Sequence, residues 1–168
     1  KYTDVEIPLE NCIGGEGRGF ILAMKTFDRT RTGVAALALG AGRTAYETSM
    51  AWAKNRIQFG KPITANQAIA FMLADMATEL EAARLLTWRA AWAYDNGDRA
   101  LNNLSAMSKM YAADVAMKVA IDAVQVMGGD GYSRDFPVEK IMRDVKLCQI
   151  YEGTNQVQRL VISKAILK

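Results

Sequence analysis

The sequence predicts an all-α domain, an up-down bundle of about four to five helices preceded by a short strand remnant. A chain of 168 residues has the size of one domain and can bury a sizeable core. Apolar residues make up 51% of it and Pro occurs only three times, as in a folded globular domain. Aromatic residues are few and Ala is abundant, which favours closely packed helices over a sandwich of strands. Apolar side chains also recur at spacings of three and four over long stretches, as in helices that bury one face.

The first fifteen residues differ from the rest of the chain. Apolar residues alternate loosely as far as Leu9, and Gly14-Gly15 punctuates the end of the segment. We expect residues 1–15 to be the remnant of a preceding β domain with a loop that leads into the bundle. Residues 16–168 are then the helical bundle domain. The sequence does not begin with Met, and we expect it to be a piece of a longer protein.

The first long helix is predicted from about Gly17 to Arg56, with Gly60 and Pro62 as stop signals beyond it. Three glycines interrupt it, and each would weaken an isolated helix by up to ~1 kcal/mol. We therefore expect another helix or a ligand to approach closely at these glycines, which are Gly33, Gly40 and Gly42.

The second helix is predicted to begin at a capping box, Thr64-Ala65-Asn66-Gln67, in which the Thr64 and Gln67 side chains cap backbone N–H groups. It ends at the polar turn Asp95–Asp98. The remaining helices are expected at about 103–127, 137–147 and 154–167, with Pro137 as the first residue of the fourth.

Composition excludes several classes of function. The chain has no His, so Ser-His-Asp hydrolases and His-ligated metal sites are excluded, and we expect no metal. Cys12 and Cys148 stand far apart, which argues against a disulfide scaffold. A net charge of +3 without a basic block does not indicate nucleic-acid binding. The longest apolar stretch, Val34 to Gly42, is too short for a membrane span.

A candidate catalytic carboxylate lies just before the last predicted helix, in Tyr151-Glu152-Gly153-Thr154. Backbone N–H groups at a helix start favour an anion or a developing negative charge, and Gly153 lets a ligand approach the backbone. The alternative is that Glu152 only compensates the helix dipole and Gly153 only makes the turn. These residues alone leave both readings open.

Four motifs together resemble the acyl-CoA dehydrogenase family, in its order and spacing and over almost the whole chain. They are Phe27-Asp28-Arg29-Thr30-Arg31, Arg56-Ile57-Gln58-Phe59-Gly60-Lys61-Pro62, Gln125-Val126-Met127-Gly128-Gly129-Asp130-Gly131-Tyr132, and the segment from Met142 to Gln156 that contains Tyr-Glu-Gly-Thr. The resemblance is to the family's C-terminal helical domain, in the medium- and short-chain type that has Glu in this last motif.

The resemblance implies that Glu152 removes the α-proton of an acyl-CoA thioester while the β-hydride passes to a flavin. A free carboxylate is a weak base, so we expect a bound acyl chain to exclude water and strengthen it. The backbone N–H of Glu152 is expected to donate to the thioester oxygen. Some relatives carry their base on the first long helix instead, approximately where Thr30 stands. The resemblance also implies that Asp28, Arg31 and Gly153 lie at the substrate, although an Asp28–Arg31 ion pair explains the first two equally well.

The resemblance further implies FAD as the cofactor. An Arg guanidinium suits a pyrophosphate because it can bind two oxygens at once. Each of these residues also has a plain structural alternative, as a helix end, a cap or a turn. The expected FAD contacts are Arg56, Gln58, Phe59, Gln67, Gln125, Gly128, Gly129, Thr154 and Gln156, with Gln125, Gly128 and Gly129 reaching a flavin held mainly by a neighbouring subunit.

The expected reaction converts an acyl-CoA to a trans-2-enoyl-CoA, with electron-transferring flavoprotein as the acceptor. The expected assembly is a homo-oligomer, a homotetramer or dimer, in the cytoplasm of a bacterium or the mitochondrial matrix of a eukaryote. Two alternatives stay open: an acyl-CoA oxidase, which passes its electrons to oxygen, and a non-catalytic helical dimerisation module. The isolated chain is expected to bind FAD weakly and to turn over no substrate.

Overall fold

A computed structural model describes residues 1–167 and confirms the all-α prediction. Six helices occur in this part of the chain: α1 Gly19–Asn55, α2 Gln67–Asp95, α3 Leu101–Met127, α4 Gly129–Tyr132, α5 Val138–Cys148 and α6 Asn155–Ile166. The helix beyond the predicted number is α4, a single turn that follows Gly128. A two-stranded antiparallel hairpin, β1 Ile57–Gln58 and β2 Lys61–Pro62, connects α1 to α2 through a short 3-10 turn.

The central element is α3, which packs against α1, α2, α5 and α6. Its buried face is formed mainly by small side chains, and the facing side of α1 is similar. Small residues at a helix contact let the two axes come close, at the short end of the ~8–10 Å range. The fully buried alanines include Ala35, Ala38 and Ala45 on α1 and Ala112, Ala113, Ala116, Ala120 and Ala123 on α3.

The glycines of α1 have different surroundings. A Cβ added to Gly42 would lie 3.1 Å from Leu80 Cδ2 and 3.3 Å from the Cα of Ala116, so both α2 and α3 approach closely here. A Cβ added at Gly33 or Gly40 would meet nothing within 4 Å in the described chain. The expected close approach is therefore observed at Gly42 alone.

The predicted capping box is wrong. Thr64 lies in the 3-10 turn Ile63–Ala65, and α2 begins two residues later than the box requires, with Asn66 as its N-cap. No side chain caps this helix, and Gln67 is an exposed first residue. The backbone N–H of Asn66 bonds to the Ile63 carbonyl instead, and this local turn replaces the cap.

The predicted strand remnant is also absent from residues 1–15. Only a 3-10 turn, Leu9–Asn11, has regular structure there, and the apolar side chains of this segment are exposed. A strand needs a partner for its backbone groups, and none of the described segments pairs with this one.

The later helix ends follow the sequence signals more closely. Gly128 ends α3 with φ +64°. Pro137 is the residue that precedes α5 rather than its first residue. Thr154 caps α6, and its side chain accepts a hydrogen bond from the Val157 N–H at 3.2 Å. Within the part of the chain described here, no helix combines the length and the apolar character that crossing a membrane requires.

Candidate active site and cofactor surface

The loop between α5 and α6 carries the candidate base in an uncommon backbone conformation. Glu152 has φ +51° and Gly153 has φ +87°. A left-handed conformation costs a residue with a Cβ roughly 1–2 kcal/mol, so it persists only where the surroundings hold it. Gly153 is needed for space as well, because a Cβ there would lie 2.8 Å from Gln158 Nε2.

Two buried side chains hold this loop from inside the domain. The amide of Gln158 donates to the carbonyl oxygens of Glu152 at 3.2 Å and of Gly153 at 2.9 Å. The Lys109 ammonium donates to the same Gly153 carbonyl at 2.9 Å and to Asn155 Oδ1 at 3.0 Å. Both interior donors thus bind backbone carbonyls of the loop, and neither forms a hydrogen bond with the Glu152 side chain.

The carboxylate of Glu152 points towards α1. Thr30 Oγ1 donates to Glu152 Oε2 at 2.7 Å, and both residues are partly buried. The position predicted to correspond to the alternative base of some relatives therefore lies within hydrogen-bond distance of the carboxylate. A short hydrogen bond from a hydroxyl fixes the orientation of a carboxylate.

In the same turn of α1 as Thr30, Arg31 and Asp28 form the predicted ion pair, with Arg31 Nη1 and Asp28 Oδ1 2.8 Å apart. Asp28 also accepts a hydrogen bond from Asn102 on α3 at 3.2 Å. Arg31 is only 5% exposed, and its buried Nε has no partner among the described residues. The structure therefore brings Asp28, Thr30 and Arg31 into the same region as Glu152, and the buried Nε of Arg31 is without a partner among the described residues.

Sequence reasoning missed Lys109, which is fully buried. It occupies a position on the buried face of α3 between Ser105 and Ala112, which apolar periodicity alone does not distinguish from a surface lysine. Burial lowers the pKa of the Lys109 ammonium from its ordinary value of 10.5, and the nearby Arg31 guanidinium adds to that shift. The Cys148 side chain and the carboxylates of Asp114 and Glu152 oppose it only in part. The available signal was a lone Lys among small and apolar residues of one helix face.

A polar network ties the start of α6 to α3. The side-chain amide of Asn155 donates to the Met110 carbonyl at 3.1 Å and to Asp114 Oδ1 at 2.7 Å. Asp114 also accepts from Gln149 at 2.7 Å and from Arg159 at 2.9 Å. The loop is thus connected to α3 on both sides of Glu152.

A second group of predicted residues meets at the far end of α3. Arg56, Gln58, Gly128 and Gly129 line an open cavity of about 390 Å³, together with Trp52, Ile63, Val126, Met127 and Asp130. The Arg56 guanidinium lies 5.9 Å from the centre of the Trp52 ring. Such a cavity offers a guanidinium, an amide and exposed glycine backbone, which are suited to a phosphate-bearing ligand.

Phe59 stands at the tip of the hairpin beside this cavity. It is 96% exposed and has φ +51°, and Gly60 follows it with φ +78°. Positive φ at both residues suits the two-residue turn of a β-hairpin, and this turn leaves the Phe59 ring exposed. Gln125 and Gln67 are exposed and do not line the cavity.

The predicted FAD residues therefore fall into two groups. Thr154 and Gln156 lie beside Glu152 at the start of α6, where the loop is bound to Lys109. The other group lies near Gly128, about 28 Å further along the α3 axis at ~1.5 Å per residue. A larger cavity of about 620 Å³ lies between α1 and α2 and contains none of the predicted site residues.

The structure is thus an all-α domain with two candidate ligand sites. The Glu152 loop lies near the start of the central helix α3, and the polar cavity lies at its end. Residues 17–167 match the family "Acyl-CoA dehydrogenase, C-terminal domain". The chain is 51% identical to an acyl-CoA dehydrogenase of Bacillus subtilis (strain 168), over 99% of this chain and 44% of the relative. This chain belongs to the acyl-CoA dehydrogenase family and corresponds to its C-terminal domain.

Solved structures show the same fold. Butyryl-CoA dehydrogenase from Megasphaera elsdenii matches with a TM-score of 0.97 and 47% identity, over 99% of this chain and 43% of that one. A structure described as the electron transferring flavoprotein of Acidaminococcus fermentans matches with a TM-score of 0.97 and 50% identity, over 99% and 44%. An FAD complex of PigA matches at 0.93 and 30%, over 98% and 43%. The chain thus spans less than half the length of the relatives it matches.

Proposed function

We propose that this chain is the C-terminal domain of an FAD-dependent acyl-CoA dehydrogenase in which Glu152 is the base. The main support for this proposal is the set of hydrogen bonds that fix the backbone and the carboxylate of Glu152. Interior donors bind its backbone, and its carboxylate is oriented by Thr30. A base must be positioned within hydrogen-bond reach of the proton that it removes, and a carboxylate with a fixed direction is suited to that role.

In the proposed reaction, Glu152 takes the proton from the α-carbon of an acyl-CoA thioester. The electrons of that C–H bond form the new carbon–carbon double bond as a hydride leaves the β-carbon. FAD supplies the acceptor for that hydride when it is bound. The product is a trans-2-enoyl-CoA, and the protonated Glu152 later returns its proton to solvent.

The backbone N–H of Glu152 suits a second role. Among the described residues it donates to no backbone carbonyl. We propose that it donates to the thioester oxygen of the substrate, where negative charge develops as the α-proton leaves. A Cβ at Gly153 would meet Gln158 on the interior side, so Gly153 would approach the thioester through its backbone, and Asp28 and Arg31 would form the neighbouring wall.

We propose that FAD contacts both residue groups, from different subunits of a homo-oligomer. Thr154 and Gln156 would contact the flavin beside Glu152. The cavity lined by Arg56, Gln58 and Gly129 would bind the phosphate and adenosine part of a flavin held mainly by the neighbouring subunit. The exposed residues Phe59, Gln67, Gln125 and Gly128 would complete that second contact. The FAD complex of PigA, which has a similar fold, supports this choice of cofactor.

The proposed electron acceptor is electron-transferring flavoprotein, and the similarity to the Acidaminococcus fermentans structure supports it. The bacterial relatives make the cytoplasm the compartment that we propose. The similarity to butyryl-CoA dehydrogenase makes short straight-chain acyl-CoA esters the first substrates to assay. Reduced enzyme that reacts faster with oxygen than with the flavoprotein would instead identify an oxidase.

The deciding experiment is Glu152→Gln in the full-length enzyme, with Glu47→Gln as the control. Gln keeps the size of the side chain but cannot accept the α-proton. We expect kcat to fall by about 10²- to 10⁴-fold while bound FAD is retained. Glu47, an exposed residue of α1 paired with Arg43, should tolerate the same change. Turnover by Glu152→Gln at the parent rate would refute the proposed base.

A further inference from the structure

Lys109 has the largest side chain that the described fold buries completely. Burying a cation costs free energy, and an apolar residue of similar length often replaces a buried charged group at no cost in stability. Stability alone therefore does not explain this residue. Its only hydrogen-bond acceptors in the described chain are the carbonyl of Gly153 and the amide oxygen of Asn155.

We propose that Lys109 is a positioning residue for Glu152, which fixes the left-handed Glu152–Gly153 segment by holding the Gly153 carbonyl from inside the domain. This inference rests on the proposed role of Glu152 as the base. Among the described residues, Lys109 forms no hydrogen bond or ion pair with the Glu152 carboxylate, so it acts through the backbone of the loop.

The geometry supports this role because the two carbonyls of the strained segment are held from the same side. Gln158 binds the carbonyl oxygens of both Glu152 and Gly153, and the Lys109 ammonium shares the second. Charged donors form stronger hydrogen bonds than neutral ones. With its backbone fixed on the interior side, the Glu152 carboxylate is left directed at Thr30 on α1.

The contribution of Lys109 is separable from the attachment of the loop to the domain. Asn155 binds the Met110 carbonyl and Asp114 independently of Lys109. The Gly153 carbonyl also keeps its bond from Gln158 when Lys109 is lost. Replacement of Lys109 should therefore leave the loop attached to the domain. Only one acceptor, Asn155 Oδ1, would lose its donor. The Gly153 carbonyl would lose its hydrogen bond to α3.

The test uses Lys109→Met and Lys109→Gln in the full-length enzyme. Met fills similar volume without a donor, and Gln keeps a neutral donor. Lys118→Met is the matched control, because Lys118 lies on the same helix but is exposed and pairs with Glu79. The measurements are kcat, KM, bound FAD, the thermal midpoint and the kinetic isotope effect on kcat with acyl-CoA deuterated at the α-carbon. The isotope effect does not depend on the fraction of active enzyme, so loss of folded protein does not change it.

We expect Lys109→Met to lower kcat by about 10- to 100-fold, because a displaced base loses near-attack geometry. KM should stay within about threefold and the α-deuterium isotope effect should increase, because proton removal becomes more rate-limiting. Lys109→Gln should lose less kcat, and Lys118→Met should match the parent.

Parent values of kcat and isotope effect in folded Lys109→Met would overturn the proposal. So would failure of both Lys109 variants to fold, since the residue would then be structural. A loss of kcat with an unchanged isotope effect would also overturn the proposal, because proton removal would not have become more rate-limiting. These outcomes differ from failure of the proposed base, which Glu152→Gln tests by itself.

Discussion

Replacing Gly153 with Ala should damage the active-site loop in two separable ways. At φ +87° the new side chain meets left-handed strain of roughly 1–2 kcal/mol. Its Cβ would also lie 2.8 Å from Gln158 Nε2 and displace that amide. Gln158 makes two hydrogen bonds to the loop, each worth about 1 kcal/mol net. The total cost is therefore about 3–4 kcal/mol.

Gly97→Ala isolates the strain contribution. Gly97 has φ +62° in the turn after α2, and a Cβ there meets nothing within 4 Å. Ala restricts the unfolded chain more than Gly does, and both variants gain the same stability from this effect. The gain therefore cancels when their free energies of unfolding are compared. About 2 kcal/mol should remain. It corresponds to roughly 4–8 °C in thermal midpoint for a unit of this size and to about half of that in the full-length enzyme, whose unfolding entropy is larger.

The assay is differential scanning calorimetry of the full-length enzyme with steady-state turnover on the same samples. Gly153→Ala should also lower kcat by about 100-fold, because moving the base by even 1 Å has that effect. Gly97→Ala should leave kcat unchanged. Equal midpoints for the two variants, or parent turnover by Gly153→Ala, would refute the reasoning from the Gln158 contact.

Two further predictions concern packing and pH. Gly42→Ala should be less stable than Gly40→Ala by about 1–3 kcal/mol in thermal or urea unfolding, because only the first forces a Cβ against Leu80 and Ala116; equal stabilities would contradict the close approach. Burial raises the pKa of the Cys148 thiol above its ordinary 9.0, so the unfolded chain loses that proton first. The stability that Cys148 contributes is thus complete below pH 9.0 and is lost as pH rises towards the folded pKa. Cys148→Ala should therefore reduce the fall in thermal midpoint at alkaline pH. A fall equal to that of the parent enzyme would contradict the contribution of the buried thiol.

Helix existence was predictable because long apolar periods and Gly or Pro stops are local signals. The end of α3 at Gly128 and the Thr154 cap are examples. The capping box at Thr64 failed because a 3-10 turn competes for the same backbone groups. The strand before residue 15 failed because alternation predicts a strand only where a partner exists.

The candidate site was predictable mainly through resemblance. Local sequence makes Glu152 a carboxylate before a glycine, and only its contact with Thr30 gives the side chain a direction. The sequence places Lys109 among small and apolar residues of one helix face, but its burial also depends on acceptor oxygens that lie 44 and 46 residues further along the chain. The separation of the expected FAD residues into two groups likewise depends on the length of α3.

The length of α3 sets the distance and the relative rotation of the two candidate sites. Lys109 supports the loop at one level, and Gly128 opens the cavity at the other. Inserting or deleting one residue between them would turn one end against the other by about 100° and change their spacing by ~1.5 Å. Substitutions in this stretch alter packing locally, whereas a change in its length misaligns both sites together. The turn between α2 and α3, which lies outside this interval, is where the domain can vary in length without disturbing their alignment.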